Sequence, residues 1–175
     1  MTRTNTYRII STLDGSTETC SLSELSQKLK LNCILAELNS DGSLIDSWPL
    51  VHETLVTFAV EFADYARLNY SKKKLPKAKA CIALTRKWLE NHDSVSNKEL
   101  RVAAYAANAA NAAYAAAHAA YAASDASDAA ARAAAYYAAY AAADAAYAAG
   151  DDEKKREAEL IRQGQFIVGY LRAGT

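Results

Sequence analysis

Residues 103–149 read AAYAANAANAAYAAAHAAYAASDASDAAARAAAYYAAYAAADAAYAA, and 31 of these 47 residues are alanine. Alanine is the strongest helix former, because it loses no side-chain entropy and buries no polar group when a helix forms. Larger residues recur at steps of three or four from Tyr105 to Tyr147, and these twelve steps span 42 residues, or 3.5 residues per step. That period places the larger residues on one face of a helix. The stretch therefore predicts helix, with a remaining surface made almost entirely of methyl groups.

The length of this stretch predicts a break within it. One unbroken helix of this length would span about 70 Å, whereas a compact domain of this chain length has a radius of gyration of about 16 Å. Residues 124–128 read Ser-Asp-Ala-Ser-Asp, and serine and aspartate favour helix N-termini. We therefore expect a turn at 124–128, with two Ala-rich helices packed antiparallel.

The stripe of larger residues has two interpretations. Its tyrosines favour packing toward a bundle core while the alanines allow close neighbours. Its other members include Asn, His, Asp and Arg, which are poor core residues unless they are paired. The second interpretation is therefore an aromatic and polar groove that binds a partner or ligand. Its residues would be Tyr114, His118, Tyr121, Asp125, Asp128 and Arg132.

Composition limits the class of protein. The chain has 20 basic and 20 acidic residues, which argues against bulk nucleic-acid binding. Its three cysteines, Cys20, Cys33 and Cys81, have neither a disulfide nor a zinc spacing, which favours a reducing cytoplasm. No leader and no uncharged run of 18 apolar residues occurs, so we expect a cytoplasmic protein without a membrane span.

The first 50 residues differ from the rest and are expected to form an N-terminal extension. Residues 7–12 alternate and are β-prone, Asp14-Gly15 is a turn dipeptide, and residues 17–20 can return as a second strand. Ser21 to Glu24 has the spacing of a capping box and predicts a short helix to about Leu31. Asp41-Gly42 is expected to begin a loop that runs to Trp48-Pro49.

Residues 51–175 predict an Ala-rich helical bundle. Apolar residues at helical spacing indicate helices at 51–70 and from Pro76 to about Asn91. A second capping box at Ser96 begins the helix that enters the Ala-rich stretch. Gly150 ends that stretch, and a last amphipathic helix follows, with Glu157 and Glu159 expected on its solvent side. The predicted fold class is mainly α, an antiparallel bundle with a small hairpin at its N-terminus.

A basic segment begins after the first predicted long helix and continues into the second. Positions 72–87 carry seven positive charges, either as a solvated surface or as a surface for an acidic partner or a phosphate backbone. These residues are Lys72, Lys73, Lys74, Lys77, Lys79, Arg86 and Lys87.

No catalytic motif occurs in the chain. It lacks a glycine-rich phosphate loop, a metalloprotease motif, paired cysteines and a nucleophile elbow. His52, His92 and His118 are isolated in the sequence, and only His118 shares a helical face with a carboxylate that can orient it, Asp125. We therefore expect no enzyme activity, no cofactor and no metal site.

Three segments carry a resemblance to a known family. They are PKAKACIALTRKWLE at 76–90, ELRVAA at 99–104 and NAANAAYAAAHAAYAA at 108–123. From about Phe58 onward the chain resembles the Ala-rich immunity proteins of bacterial polymorphic toxin systems, whose relatives also occur on phages and mobile elements. The resemblance implies a small cytoplasmic protein that binds and neutralises another protein, and it supplies no catalytic residues.

The leading hypothesis is therefore a non-enzymatic inhibitor, an immunity protein that neutralises a cognate toxin or effector. One alternative is a phage-encoded, anti-CRISPR-like inhibitor of a bacterial defence complex, which would use the basic segment against nucleic acid or a nucleoprotein. Another is a helical protein that sequesters a small ligand or nucleotide on the Tyr-His-Asp-Arg stripe. The Ala-rich surface also predicts a homodimer, since small side chains allow close self-association.

Overall fold

The computed structural model describes residues 6–28, 32–70, 75–107, 118, 140–141, 143–150 and 152–174. Within them, four strands form one antiparallel sheet, one short helix lies between the second and third strands, and the longer helices follow the sheet along the chain. The strands are β1 (Thr6–Ser11), β2 (Thr17–Cys20), β3 (Cys33–Leu38) and β4 (Leu44–Leu50). The helices are α1 (Leu22–Leu25), α2 (His52–Asn69), α3 (Pro76–Glu90), α4 (Asn97–Ala107) and α5 (Glu153–Ala173). A 3₁₀ turn at His92–Ser94 links α3 to α4, and residues 143–148 are also helical.

The predicted fold class, a mainly α bundle with only a hairpin, is wrong. The hairpin of β1 and β2 is confirmed, but β3 and β4 extend it into a sheet with strand order β2-β1-β3-β4. The region expected to be a loop up to Trp48-Pro49 is strand β4, paired with β3. The protein is therefore mixed α and β. A lone hairpin has only marginal stability in water, and the added strands supply an apolar face that helices can cover.

Two copies of the tripeptide Asp-Gly-Ser build the sheet's two tight hairpins. In Asp14–Ser16 and in Asp41–Ser43, the aspartate Oδ1 accepts hydrogen bonds from the serine amide and from the serine hydroxyl. The glycines lie at φ +71° (Gly15) and +83° (Gly42), in the left-handed region that glycine adopts without steric cost. The same local chemistry thus reverses the chain twice.

The Asp14 turn predicts a specific acid titration. Hydrogen bonds from Ser11 and Ser16 lower the pKa of Asp14 to about 2. A carboxyl whose pKa is lowered by folding stabilises the fold above its unfolded pKa of about 4 and loses that contribution as pH falls through the folded pKa. We therefore expect the turn to weaken between about pH 4 and pH 2. The NMR titration of the Asp14 carboxyl carbon should have its midpoint near 2, and Ser16→Ala should raise it; an ordinary midpoint in the unsubstituted chain would contradict the turn geometry.

Capping residues place the helix boundaries close to those predicted. The Ser96 amide and hydroxyl donate to Glu99 Oε2 at 2.8 and 2.7 Å, and the Glu99 amide donates back to the Ser96 hydroxyl. Asp152 caps α5 by accepting from the Lys154 amide. The capping box at Ser21 is also present, but α1 ends at Leu25 rather than near Leu31. The predicted break at 124–128 lies outside the described residues.

The hydrophobic core joins the sheet to the helices. Phe58 and Phe62 of α2 are fully buried, and both meet the ring of Phe166 on α5 edge to face, with centroids 6.1 Å apart. The same buried cluster includes Ile9 and Leu35 from the sheet. The predicted division of the chain at residue 50 stays a prediction.

Two carboxylates are buried where α5 meets the rest of the fold. Glu159, expected on the solvent side of α5, is 1% exposed, so that expectation is wrong. Glu37 of β3 is also buried, and both its oxygens accept from Arg172 at 2.6 Å. Buried carboxylates need such partners, because desolvation of an unpaired charge costs several kcal/mol. The contact between Arg172 and Glu37 joins the C-terminal end of α5 to β3, and Glu159 joins the N-terminal half of α5 to Tyr70 after α2.

Candidate partner-binding cleft

An open cleft of about 290 Å³ lies between α2 and α3. Its lining combines both signs of charge with a small apolar floor. The lining residues are Asp64, Arg67, Lys79, Ile82, Ala83, Arg86, Lys87 and Glu90. The residues from α3 recur at positions 79, 82, 83, 86, 87 and 90, a spacing of three and four that places them along one side of the helix.

Four charged side chains form a continuous network along this cleft. Asp64 Oδ1 accepts from Arg67 Nε and Nη2 at 2.9 and 2.6 Å. The other oxygen of Asp64 pairs with Arg86 Nη1 at 2.8 Å. Arg86 then donates from Nη2 to Glu61 on α2 at 2.8 Å. The guanidinium groups of Arg67 and Arg86 are thereby held in defined orientations.

The network orders the surface more than it stabilises the fold. Asp64 is 14% exposed and Arg86 is 41% exposed, and ion pairs at such partly wet sites contribute at most about 1 kcal/mol each. Burial lowers the pKa of Arg86, but the hydrogen bond that it donates to Glu61 and the charges of Glu61 and Asp64 outweigh this effect and raise the pKa overall. Arg86 therefore stays cationic and bound to both carboxylates.

Lys79 and Lys87 are the exposed cations of the cleft. They lie eight residues apart on α3, about 12 Å along the helix axis, with exposed Ala83 midway between them. In the described part of the chain, no hydrogen bond or ion pair joins either ammonium group to another side chain. Both remain available to a binding partner.

A second exposed surface lies at the start of α4. Hydrogen bonds from Ser96, together with the charge of Lys87, hold the pKa of Glu99 below its usual value. The exposed surface beyond Glu99 carries Lys98, Arg101 and Val102, and Val102 is 59% exposed. Two cationic side chains and one apolar side chain thus lie close together at the start of α4.

The structure brings together only some of the residues predicted as sites. Arg86 and Lys87 line the cleft, whereas Lys77 is exposed on α3 and does not line it. The remaining predicted residues, His118 apart, lie outside the described part of the chain. They are Lys72, Lys73, Lys74, Tyr114, Tyr121, Asp125, Asp128 and Arg132.

His118 contacts the carboxylate of Asp144. The orientation of His118 by Asp125 stays a prediction, because Asp125 lies outside the described residues. Its Nδ1 lies 2.9 Å from Asp144 Oδ2, and its ring lies 5.3 Å from that of Tyr140. The contact pairs two half-buried residues of the stripe with each other, and the choice between the two interpretations of the stripe stays open.

The other histidines are not isolated in the fold. The ring of Trp88 stacks on His92 at 4.2 Å between centroids and meets His52 edge to face at 5.5 Å. Among the residues that the structure describes, no three His, Cys, Asp or Glu side chains lie close enough to hold a metal ion.

Burial makes two of the thiols poor nucleophiles. It raises the pKa of Cys20 to about 11 and that of Cys81 to about 12. The thiolate is the reactive form, so both side chains behave as small apolar core residues. Cys33 is buried as well, and none of the three cysteines forms a disulfide bond.

Sequence reasoning missed Asp64, Arg67 and Glu90 as cleft residues. The i, i+3 spacing of Asp64 and Arg67 is typical of a helical ion pair, and it could have identified them. The pairing of Arg86 with Glu61 and Asp64 depends on how α2 packs against α3, which no spacing within one helix reveals.

Comparison with known proteins gives no match: no family model, curated protein or solved structure is significantly similar to this chain. None of the helices in the described ranges is both long and apolar enough to cross a membrane.

Proposed function

We propose that this protein is a non-enzymatic inhibitor that binds another protein through the α2–α3 cleft. The role is that of an immunity protein in the bacterial cytoplasm, where it neutralises a toxin or effector. The family resemblance implies this role, and the preorganised cleft supports it.

The observation that carries the proposal is the chain of ion pairs from Arg67 through Asp64 and Arg86 to Glu61. Binding usually costs entropy when long charged side chains become ordered, about 0.5–1.5 kcal/mol for each. Here that ordering already exists in the unbound chain. Arginine is also among the residues that contribute most to protein interfaces.

The charge distribution favours a protein partner over a nucleic acid. The two arginines of the network are matched by the carboxylates of Asp64 and Glu61. Glu90 adds a further negative charge to the cleft lining. Phosphate backbones require an excess of unpaired cations, whereas a surface of interleaved charges suits complementary side chains.

Charge reversal in the cleft tests the proposal. We expect Lys79→Glu combined with Lys87→Glu to weaken partner binding by about 100-fold, because like charges brought together at an interface cost several kcal/mol. Tagged chains would capture the partner from the native cell or from a phage-infected host, and mass spectrometry would identify it. Calorimetry with the purified partner would then give the affinities, and an activity assay would show whether the partner is inhibited.

The matched control is Lys154→Glu combined with Lys155→Glu, which makes the same charge change on the exposed start of α5. It should bind as the unsubstituted chain does. If a toxin or a subunit of a defence complex is captured in stoichiometric yield, its identity shows which process the protein inhibits. Capture of no stoichiometric partner, or of one whose activity is unchanged by the complex, would overturn the proposal.

A further inference from the structure

We infer that the cleft receives an acidic helix of the partner protein, with two carboxylates about two turns apart that flank one apolar side chain. This inference rests on the proposed function, since it specifies the partner of the same cleft. It follows from the spacing of the exposed cations, from the surface between them and from the anions beside them.

The spacing comes from α3 itself. Lys79 and Lys87 are separated by two helical turns, about 12 Å. On a partner helix, acidic residues seven or eight positions apart lie about 10–12 Å from each other, and eight positions give the same offset of about 80° around the axis as between Lys79 and Lys87. Two charge pairs can therefore form at once between helices that run side by side.

The surface between the two lysines is small and apolar. Ala83 is exposed midway between them, and buried Ile82 forms part of the cleft lining beside it. A methyl side chain leaves room for a larger apolar residue of the partner. A leucine-sized side chain midway between the two partner carboxylates would cover this position and exclude water from the flanking charge pairs.

The neighbouring anions limit how much negative charge the cleft accepts. Glu90 follows Lys87 by three residues on the same face, and Asp64 lies on the α2 side of the cleft. A partner with a carboxylate at every turn, or a phosphate backbone, would bring negative charge against these groups. Such repulsion gives specificity for two separated carboxylates over a uniform polyanion.

A designed peptide provides the test. The probe is an alanine-based helix, capped at both ends, with two glutamates eight positions apart and a leucine midway between them. It is titrated into the full-length, ¹⁵N-labelled protein, and the amide shifts are followed by NMR. We expect shifts concentrated in residues 79–90, with an affinity that falls about tenfold when both peptide glutamates become glutamine.

The matched change on the protein is Lys79→Gln combined with Lys87→Gln, which should lower the affinity for the peptide by a similar factor. Lys154→Gln combined with Lys155→Gln should leave that affinity unchanged. Shifts outside the cleft, equal binding of the glutamine peptide, or tighter binding of a glutamate-rich peptide or a single-stranded oligonucleotide at 79–90 would overturn the inference. A captured partner that binds equally well after charge reversal at Lys79 and Lys87 would also overturn the inference, while the inhibitor role would remain. Absence of any captured partner would count against the proposed function alone.

Discussion

Replacing Glu159 with alanine is expected to lower the free energy of unfolding by about 3 kcal/mol, which is typical of removing one partner from a buried ion pair. The carboxylate is buried, and each of its oxygens accepts two hydrogen bonds. Oε2 accepts from the Tyr70 hydroxyl at 2.6 Å and from Arg162 Nε at 2.8 Å. Oε1 accepts from Arg162 Nη2 at 2.6 Å and from Gln163 Nε2 at 3.0 Å.

Loss of this carboxylate would leave three groups without their acceptor. Burial and the hydrogen bond to Glu159 raise the pKa of Tyr70 above its usual value, so its hydroxyl is a permanent donor that would lose its acceptor. The central carbon of the Arg162 guanidinium also lies 3.5 Å from the centre of the Tyr65 ring. This stacking keeps the guanidinium beside the cavity that removal of the Glu159 side chain would leave. Since the Arg162 side chain is 26% exposed, water can partly replace the lost acceptor, which places the expected cost at the lower end of the range for buried pairs.

Chemical denaturation of Glu159→Ala, with Glu157→Ala as its control, measures this effect. Glu157 lies on the same helix and is exposed, so its replacement should change stability by less than about 0.5 kcal/mol. Glu159→Gln keeps the shape and two acceptor sites but not the charge. Its free energy of unfolding should therefore lie between those of the two alanine variants. Equal stabilities for the two alanine variants would mean that Glu159 lies in solvent, as the helical pattern alone had suggested.

The misassignment of Glu159 shows what periodicity misses. The pattern of α5 contains charged residues from Lys154 to Arg162, and a charged position inside such a run is indistinguishable from a solvated one. Burial of Glu159 arises from Tyr70, at the far end of α2, and a sequence separation of 89 residues hides that contact. Spacing within one helix can predict which residues share a face, but not whether a distant tyrosine satisfies one of them.

The sheet was partly predictable from local chemistry. The tripeptide Asp14–Ser16 led to the correct β1–β2 hairpin, and Asp41–Ser43 forms an equivalent turn by the same hydrogen bonds. Strand β3, CILAEL, does not alternate, and Pro49 in β4 argues against a central strand. β4 lies at the edge of the sheet, where proline is tolerated. Applying the turn rule equally at both tripeptides would have predicted four strands.

The candidate cleft was predictable only in part for a related reason. The cluster of positive charge on α3 is visible in the sequence, and it includes the two exposed lysines. The sequence does not show that this positive charge is partly neutralised, because Glu61 and Asp64 lie on α2 and meet Arg86 only when the two helices pack together. A basic patch in the sequence thereby becomes a mixed-charge cleft in the fold, which favours the protein partner over the alternative of a phosphate backbone.

Replacing Gly164 with alanine is expected to destabilise the fold by about 2 kcal/mol, although the same change usually stabilises a helix by about 1 kcal/mol. Gly164 is buried where α5 crosses α1, and a Cβ there would overlap the backbone carbonyl oxygen of Leu22 and lie 2.9 Å from its Cγ. A backbone atom cannot rotate away, so α1 and α5 must separate, and overpacking of this kind costs about 1–3 kcal/mol or more.

Gly169 on the same helix provides the matched control, because a Cβ at that position would meet no atom within 4 Å. Gly169→Ala should therefore raise the free energy of unfolding by about 0.5–1 kcal/mol, and denaturation of both variants should show changes of opposite sign. Stabilisation by both substitutions would mean that α1 does not approach α5 as closely as described. Because each variant adds one methyl group to the interior of the same helix, helix propensity cancels between them, and the difference in stability measures the contact with Leu22.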